Sequence, residues 1–387
     1  GGRSDWGRSP RHDNRQGGHN SGAQEVCRYF LQNKCHRGDS CRYSHKWTTV
    51  TGLDVCAELP AAGQEGHSKV VTAVCMNQAT GQLFTGSQDG EVRVWDCATG
   101  QCTSQVPVGG EVDSMLLEGE WLFVGIHAGD QHSPSGVKVW NITSGAQHDL
   151  VAHTGPVYAL CQGKDMLFSG AADGKIIVWK FNPQTSQFAQ AGVLQGHVGP
   201  VQCLAVSPSS AEATSLISGG WDNSVRVWDL TSGQCTHVEE NAHNSVVMNV
   251  MLYEQYILTG SLDGRVKIWG PAATGAGLEL TFTHPDDEWA AAGNRGKTPD
   301  QEGVLCMEGT LDSAGKACLM VSYNPRGNDS MRVRVFEMPS FEDKGAIHGP
   351  NKSDVRSLSS AMGLVFTGDV SGQVRVFQWK AAEGLQQ

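Results

Sequence analysis

From Thr48 to Trp379, short bursts of apolar residues alternate with polar ones at a period of two, and each burst is cut off by Gly, Asp or Asn. That period belongs to β-strands, and bursts this short are too brief for helices. The clearest instance is Gly219 to Leu230, GGWDNSVRVWDL. Leu216 and Ile217 close one apolar run, Asp222 and Asn223 make a tight turn, and Val225, Val227 and Trp228 alternate with Ser224 and Arg226 in the next strand. The unit recurs as TGSQDGEVRVWD around Trp95, SGAADGKIIVWK around Trp179 and TGSLDGRVKIWG around Trp269, with His67, His153, His197 and His243 lying 26 to 31 residues upstream of the respective Trp. Such self-similarity marks a repeat architecture.

Weaker copies end on Trp140, Phe336 and Phe377, so seven third-strand aromatics are spread along the chain. These repeats resemble the WD40 family over residues 48–387. The resemblance implies an all-β, seven-bladed propeller of four-stranded antiparallel sheets. It also implies that the His, a second-strand Ser or Thr, the turn Asp and the Trp form a hydrogen-bonded set inside a blade: His67, Asp89 and Trp95; His153, Asp173 and Trp179; His197, Asp222 and Trp228; His243, Asp263 and Trp269. In that role the histidines are scaffold, neither catalysts nor metal ligands. The last repeat lacks an outer strand while Leu53 to Leu59 lacks a partner, so the two ends of the chain are expected to pair and close the ring. Blades two and six carry HAGDQHSPSG and YNPRGNDSM where the tight turn belongs, and blade seven has Ser371 at the position of the turn Asp. Arg93, Lys138, Arg226, Lys267, Arg334 and Arg375, each two residues before the aromatic, are expected to pair within the sheets. In the long segment Thr283 to Glu302, AAGNRGKT satisfies a relaxed phosphate-loop pattern. It follows an acidic run and precedes Pro299, without the strand and helix such a loop needs, and is read as no nucleotide site.

Charge divides the chain. Residues 1–47 hold nine Lys and Arg against four Asp and Glu, a net of +5, within a chain of net −11; the remainder is therefore at −16. A basic end and an acidic body meet different partners, and the acidic body argues against general adhesion to nucleic acid. Of the 12 cysteines, three fall between Cys27 and Cys41 and the others are scattered singly through apolar strands. That is the usage of free thiols in a reducing, intracellular compartment, nuclear or cytoplasmic. No run is long and apolar enough to suggest a membrane span. The chain opens on Gly-Gly without Met, as a fragment would.

Residues 1–24 are rich in Gly, Arg, Ser and Asn and are expected to be disordered. Over residues 25–47, Cys27, Cys35, Cys41 and His45 stand at C-x7-C-x5-C-x3-H. Three thiolates and an imidazole satisfy tetrahedral Zn2+ with no position left for water, so the metal is structural. A segment this short needs the metal to fold, by roughly 10 kcal/mol or more. Here the chain resembles the CCCH zinc-finger family, many members of which bind single-stranded RNA. The resemblance implies base stacking two places after the second and third Cys. Tyr43 matches, while Arg37 stands where the other aromatic belongs and offers a guanidinium plane instead. Arg28, Lys34 and Arg42 add positive charge for phosphates.

Finger and repeats together resemble the plant-type family that joins one CCCH finger to a WD40 propeller. What this implies is an adaptor: weak binding of single-stranded RNA by the finger and recruitment of proteins by the propeller. The alternatives are a purely protein-binding scaffold and a substrate receptor of a cullin-type ubiquitin ligase. The docking signal W-D-x-R of such receptors is missing after Trp95-Asp96 and Trp228-Asp229. No catalytic constellation is visible, so neither an enzyme nor a small-molecule substrate is expected.

Overall fold

The computed structural model describes residues 27, 35–37, 41, 43–60, 64–127, 135–163, 165–185, 187–207, 215–272, 277–285, 303–324, 331–349 and 354–380. The expected disordered tail (1–24), most of the long segment after Thr283 and the loop centres at 128–134 and 325–330 lie outside the described residues. Among the described residues every regular element is a strand.

After β1 (Leu53–Leu59) the strands run in sets of four. Blade one is β2 (Val71–Asn77), β3 (Gln82–Ser87), β4 (Glu91–Asp96) and β5 (Gln101–Pro107). Blade two is β6 (Glu111–Glu118), β7 (Trp121–His127), β8 (Gly136–Asn141) and β9 (Gln147–Val151). Blade three is β10 (Val157–Gly163), β11 (Met166–Ala171), β12 (Lys175–Asn182) and β13 (Gln187–Gln195). Blade four is β14 (Val201–Val206), β15 (Ser215–Gly220), β16 (Val225–Asp229) and β17 (Gln234–Glu239). Blade five is β18 (Val247–Tyr253), β19 (Tyr256–Ser261), β20 (Val266–Pro271) and β21 (Leu278–His284). Blade six is β22 (Val304–Leu311), β23 (Ala317–Tyr323), β24 (Met331–Glu337) and β25 (Glu342–His348). Blade seven has β26 (Val355–Ala361), β27 (Leu364–Asp369) and β28 (Val374–Trp379), and β1 completes it in antiparallel register from Leu53 opposite Trp379 to Leu59 opposite Val374. The ring thus closes through the two ends of the described chain, as the orphan first strand predicts, and both edges are paired.

The first strands β2, β6, β10, β14, β18, β22 and β26 touch one another in cyclic order and form the inner wall. The second strands are buried on both faces between neighbouring blades, which is why Leu83-Phe84, Leu122-Phe123 and Leu216-Ile217 read as unbroken apolar pairs. Outer strands such as β5 and β13 are mostly exposed and polar.

A small residue on the second strand sets how closely blades stack. A Cβ on Gly219 would lie 2.6 Å from Val247 of the next blade, and one on Gly368 would lie 2.5 Å from Val71. Gly86 and Gly170 stand in the same way against Val112 and Val201. In blade six Ser322 takes this position and its Oγ donates to the Val355 carbonyl at 2.7 Å.

Candidate metal centre and the scaffold that carries it

Cys27, Cys35, Cys41 and His45 come together: three Sγ atoms and one imidazole nitrogen lie within 4.8 Å of one another. That spread accommodates ligands roughly 2.0–2.3 Å from one tetrahedral Zn2+, and the soft, closed donor set suits zinc in a structural role. Cys27 is only 2% exposed, and its amide donates to the Ser44 carbonyl at 2.8 Å, tying the first ligand to the turn before the last. Tyr43, in the short run between Cys41 and His45, is 37% exposed, and Arg37 is exposed as well. Arg28, Lys34 and Arg42 lie outside the described residues.

The segment that follows His45 is fastened to the propeller at once. The Trp47 carbonyl accepts the His348 amide at 2.7 Å, the Thr49 amide donates to the Ala346 carbonyl at 2.9 Å, and Thr48 bridges Ile347. Trp47 to Thr49 therefore extends blade six beyond its outer strand, before the chain crosses to blade seven as β1. Arg375, ion-paired to Asp369 at 3.1 Å, has its guanidinium 5.1 Å from the Trp47 ring. Val50 sinks into the cluster of Leu53, Met320, Ile347 and Trp379.

The sets of residues implied by the repeats are formed in blades one, three, four and five. In blade four Trp228 Nε1 donates to Ser218 Oγ at 2.8 Å, Ser218 Oγ lies 2.7 Å from His197 Nε2, and His197 Nδ1 lies 2.9 Å from Asp222 Oδ2. One polarity satisfies the chain with a neutral imidazole: indole to hydroxyl, hydroxyl to Nε2, and Nδ1–H to carboxylate. Asp222 also accepts from the Val198 amide and from Ser224. Thr85, Ser169 and Thr259 play the part of Ser218 in the other three blades.

Blades two and six have Val124 and Val321 at the hydroxyl position, both buried, so the polar chain gives way to packing. In blade seven the carboxylate moves rather than vanishes. Asp369, two residues before Ser371, accepts from the Ser371 amide and hydroxyl and from the Gln373 amide, and pairs with Arg375. Counting along the repeat from Ser371 misses it; an Asp closing the second strand is the signal. Of the cations before the aromatics, Arg93 pairs with Glu91 at 3.0 Å, Lys138 with Asp149 at 3.2 Å and Arg334 with Asp343 at 3.7 Å. Lys267 donates to the Ala242 carbonyl at 2.6 Å, and Arg226 lies against Gly196.

A closed zinc-ligand set carried on a seven-bladed propeller defines a class of protein, the zinc-binding interaction scaffold. The comparisons agree: residues 25–45 match the CCCH-type zinc finger, and residues 60–96, 145–180, 188–229 and 233–270 match the WD domain, G-beta repeat. Zinc finger CCCH domain-containing protein 17 of Oryza sativa subsp. japonica is 36% identical over 354 residues, which cover 91% of this chain and 72% of the relative. Zinc finger CCCH domain-containing protein 48 of Arabidopsis thaliana is 37% identical over 357 residues, covering 92% and 74%. Zinc finger CCCH domain-containing protein 63 of the same plant is 34% identical over 363 residues, covering 92% and 73%. This chain belongs to that plant-type family of proteins with one CCCH finger ahead of a WD40 propeller.

Proposed function

We propose that this protein is an adaptor whose finger holds single-stranded RNA weakly while its propeller recruits protein partners, without catalysing a reaction. The observation that carries the reading is Tyr43, an exposed ring beside the metal ligands, within a basic segment of net +5 fixed to an acidic body. An exposed aromatic ring stacks on any base, and neighbouring Arg and Lys side chains neutralise phosphates, so affinity is modest and strongly salt-dependent. Arg28, Lys34, Arg37 and Arg42 supply that charge. The singly scattered, unpaired cysteines suit a reducing, intracellular setting. Those of the inner strands are inert packing groups: burial pushes Cys75 and Cys306 up to about 12 and raises Cys161 and Cys203 as well.

The test is a titration of the zinc-loaded chain with short single-stranded RNAs at several salt concentrations. Tyr43→Ala is expected to weaken binding by about 1–3 kcal/mol, the scale of one stacked base. Equal affinity of wild type and variant, or no RNA binding at low salt, would overturn the RNA role and leave the protein-binding scaffold.

A further inference from the structure

Each inner strand carries a β-bulge near its start. The register slips between Val71 and Ala73, Val112 and Ser114, Val157 and Ala159, Val201 and Cys203, Val247 and Asn249, Val304 and Cys306, and Val355 and Ser357. The extra residue in each blade has no cross-strand partner, and bulges of this kind re-aim a side chain. The seven bulge residues all line one cavity of about 630 Å3 at the inner wall. The bulge repeats in every blade while the residue it presents is different each time.

Most polar members of this ring are already engaged. Thr72 donates to the Val112 carbonyl at 2.7 Å, Gln202 Oε1 accepts from Trp221 Nε1 at 3.0 Å, and Arg356 lies 3.7 Å from the Asp354 carboxylate. Asp113 differs. Its Oδ2 is buried and, among the described residues lining the cavity, is the buried side-chain atom without a hydrogen-bond partner. Burial, reinforced by the neighbouring Glu111 charge, raises its carboxyl to about 7. The same burial and the Asp113 charge raise the Tyr158 phenol of the next blade. A buried acceptor with no donor is costly unless something brings one.

Beside this mouth the surface turns apolar. The Trp221 amide donates to the Pro200 carbonyl and the Leu262 amide to the Val246 carbonyl, which places both side chains at the bulged end of β14 and β18. Trp221 is 52% exposed, Leu262 38% and Val198, in the loop ahead of β14, 90%. Exposed large apolar groups next to a cavity holding an unpaired carboxylate form an arrangement that protein partners use: an anchor for one charged side chain within an apolar platform.

We propose that this mouth receives a lysine or arginine side chain from an extended segment of a partner protein. The cation is taken by Asp113 with the Tyr158 ring beside it, and apolar residues flanking it rest on Val198, Trp221 and Leu262. Charge supports this choice of occupant. The body of the protein is at −16, the ring's own cation Arg356 is matched by Asp354, and Lys69 is matched by Glu111 at 2.9 Å, so among the described residues lining the cavity Asp113 is the charge left to pair. A charged donor meeting a desolvated carboxylate forms the strong kind of hydrogen bond, and a cation over an aromatic ring adds to it. The site is independent of the finger and of any RNA it holds.

The zinc-loaded chain is titrated with a short peptide bearing one central arginine between leucines, and with its lysine, norleucine and glutamate counterparts. Methyl NMR signals of Met248 and Leu305 report occupancy of the cavity. Saturable shifts are expected with arginine and lysine, and binding weaker by about thirtyfold or more with norleucine, as for loss of one partner of a desolvated charge pair. Asp113→Asn, close to isosteric, is expected to erase that preference while leaving the other methyl signals in place. Trp221→Ala is expected to weaken all four peptides together. Absence of saturable shifts, equal binding of the norleucine peptide, or an unchanged preference in Asp113→Asn would overturn the proposal. Displacement of the arginine peptide by single-stranded RNA would assign the mouth to nucleic acid instead. Cys27→Ser, which removes a zinc ligand, is expected to bind the arginine peptide as wild type does, which separates this site from the finger's role.

Discussion

In four blades one hydroxyl stands between an indole and an imidazole and serves both. Removing it strands two buried nitrogens at once, so Ser218→Ala is expected to destabilise the protein by about 2–3 kcal/mol in denaturant unfolding, more than the hydroxyl's own net worth. A loss below about 0.5 kcal/mol would mean that Trp228 and His197 find other partners. The imidazoles also set a pH response. Burial disfavours the charged form of His67 and lowers its pKa despite Asp89 beside it. Burial alone would raise the Asp222 carboxyl, but hydrogen bonds from His197, Ser224 and the Val198 amide outweigh it and hold the group well below the usual range. Both groups are depressed on folding, so each contributes stability that is complete above its unfolded value and is lost as pH falls through the folded one. For His67 the loss begins near ~6.5, and for Asp222 only below ~3.9. Amide protection in β3 and β4, corrected for intrinsic exchange, is expected to fall between neutral and mildly acidic pH; unchanged protection there would show that folded His67 takes up its proton as readily as the unfolded chain does. At this scale the sequence is legible where the repeat is regular. Asp369 was hidden because its carboxylate stands two residues ahead of the turn position, where it still accepts from the Gln373 amide but pairs with Arg375 where the regular blades use a histidine.

The strands were legible because a blade's middle strands are buried on both faces and its outer strand on one, and each condition leaves its own apolar pattern. What the pattern does not carry is the contact between blades. The Ser-Gly or Thr-Gly that ends the second strand reads locally as the start of a turn, yet Gly219 is needed because Val247 of the next blade occupies the space a Cβ would fill. The nearest atoms at Gly219 are the Val247 methyl at 2.6 Å and Cys203 Sγ at 2.9 Å, groups fixed in the core and unable to swing aside. Gly219→Ala is therefore expected to cost about 1–3 kcal/mol as an overpacking strain. Gly192→Ala is the control for the loss of a glycine alone, since its φ, like that of Gly219, lies outside the left-handed region and the nearest atom to its Cβ would be a Val178 methyl at 3.9 Å. Equal destabilisation by the two would assign the effect to conformational freedom and not to the seam. The bulges were likewise invisible in the sequence, because a register slip belongs to a pair of strands and no single strand's alternation records it.

On the scale of the whole molecule, ring closure could be anticipated by counting strands, since one end lacked what the other end had spare. The fastening of the finger could not. Trp47 to Thr49 adds to an edge, and edge pairing goes through backbone groups that every residue carries, so no side-chain pattern announces it. Its consequence is mechanical: only Lys46 separates the last zinc ligand, His45, from a residue hydrogen-bonded to blade six. Zinc holds His45, His45 positions Trp47, and Trp47 lies against the Arg375 that Asp369 fixes in blade seven. Metal loading should thus be felt where blades six and seven meet. Removal of zinc by a chelator is expected to lower the unfolding free energy of the propeller by about 1–2 kcal/mol, the worth of one or two hydrogen bonds released at that edge. The amides of Thr49 and His348 should lose protection before those of blades three and four. Trp47→Ala with zinc bound should reproduce part of the loss, because it removes the ring without touching a ligand. If the zinc-free and zinc-loaded proteins unfold at the same denaturant concentration, the finger rides on the propeller without bracing it, and an RNA held there is displayed by the ring but does not report to it.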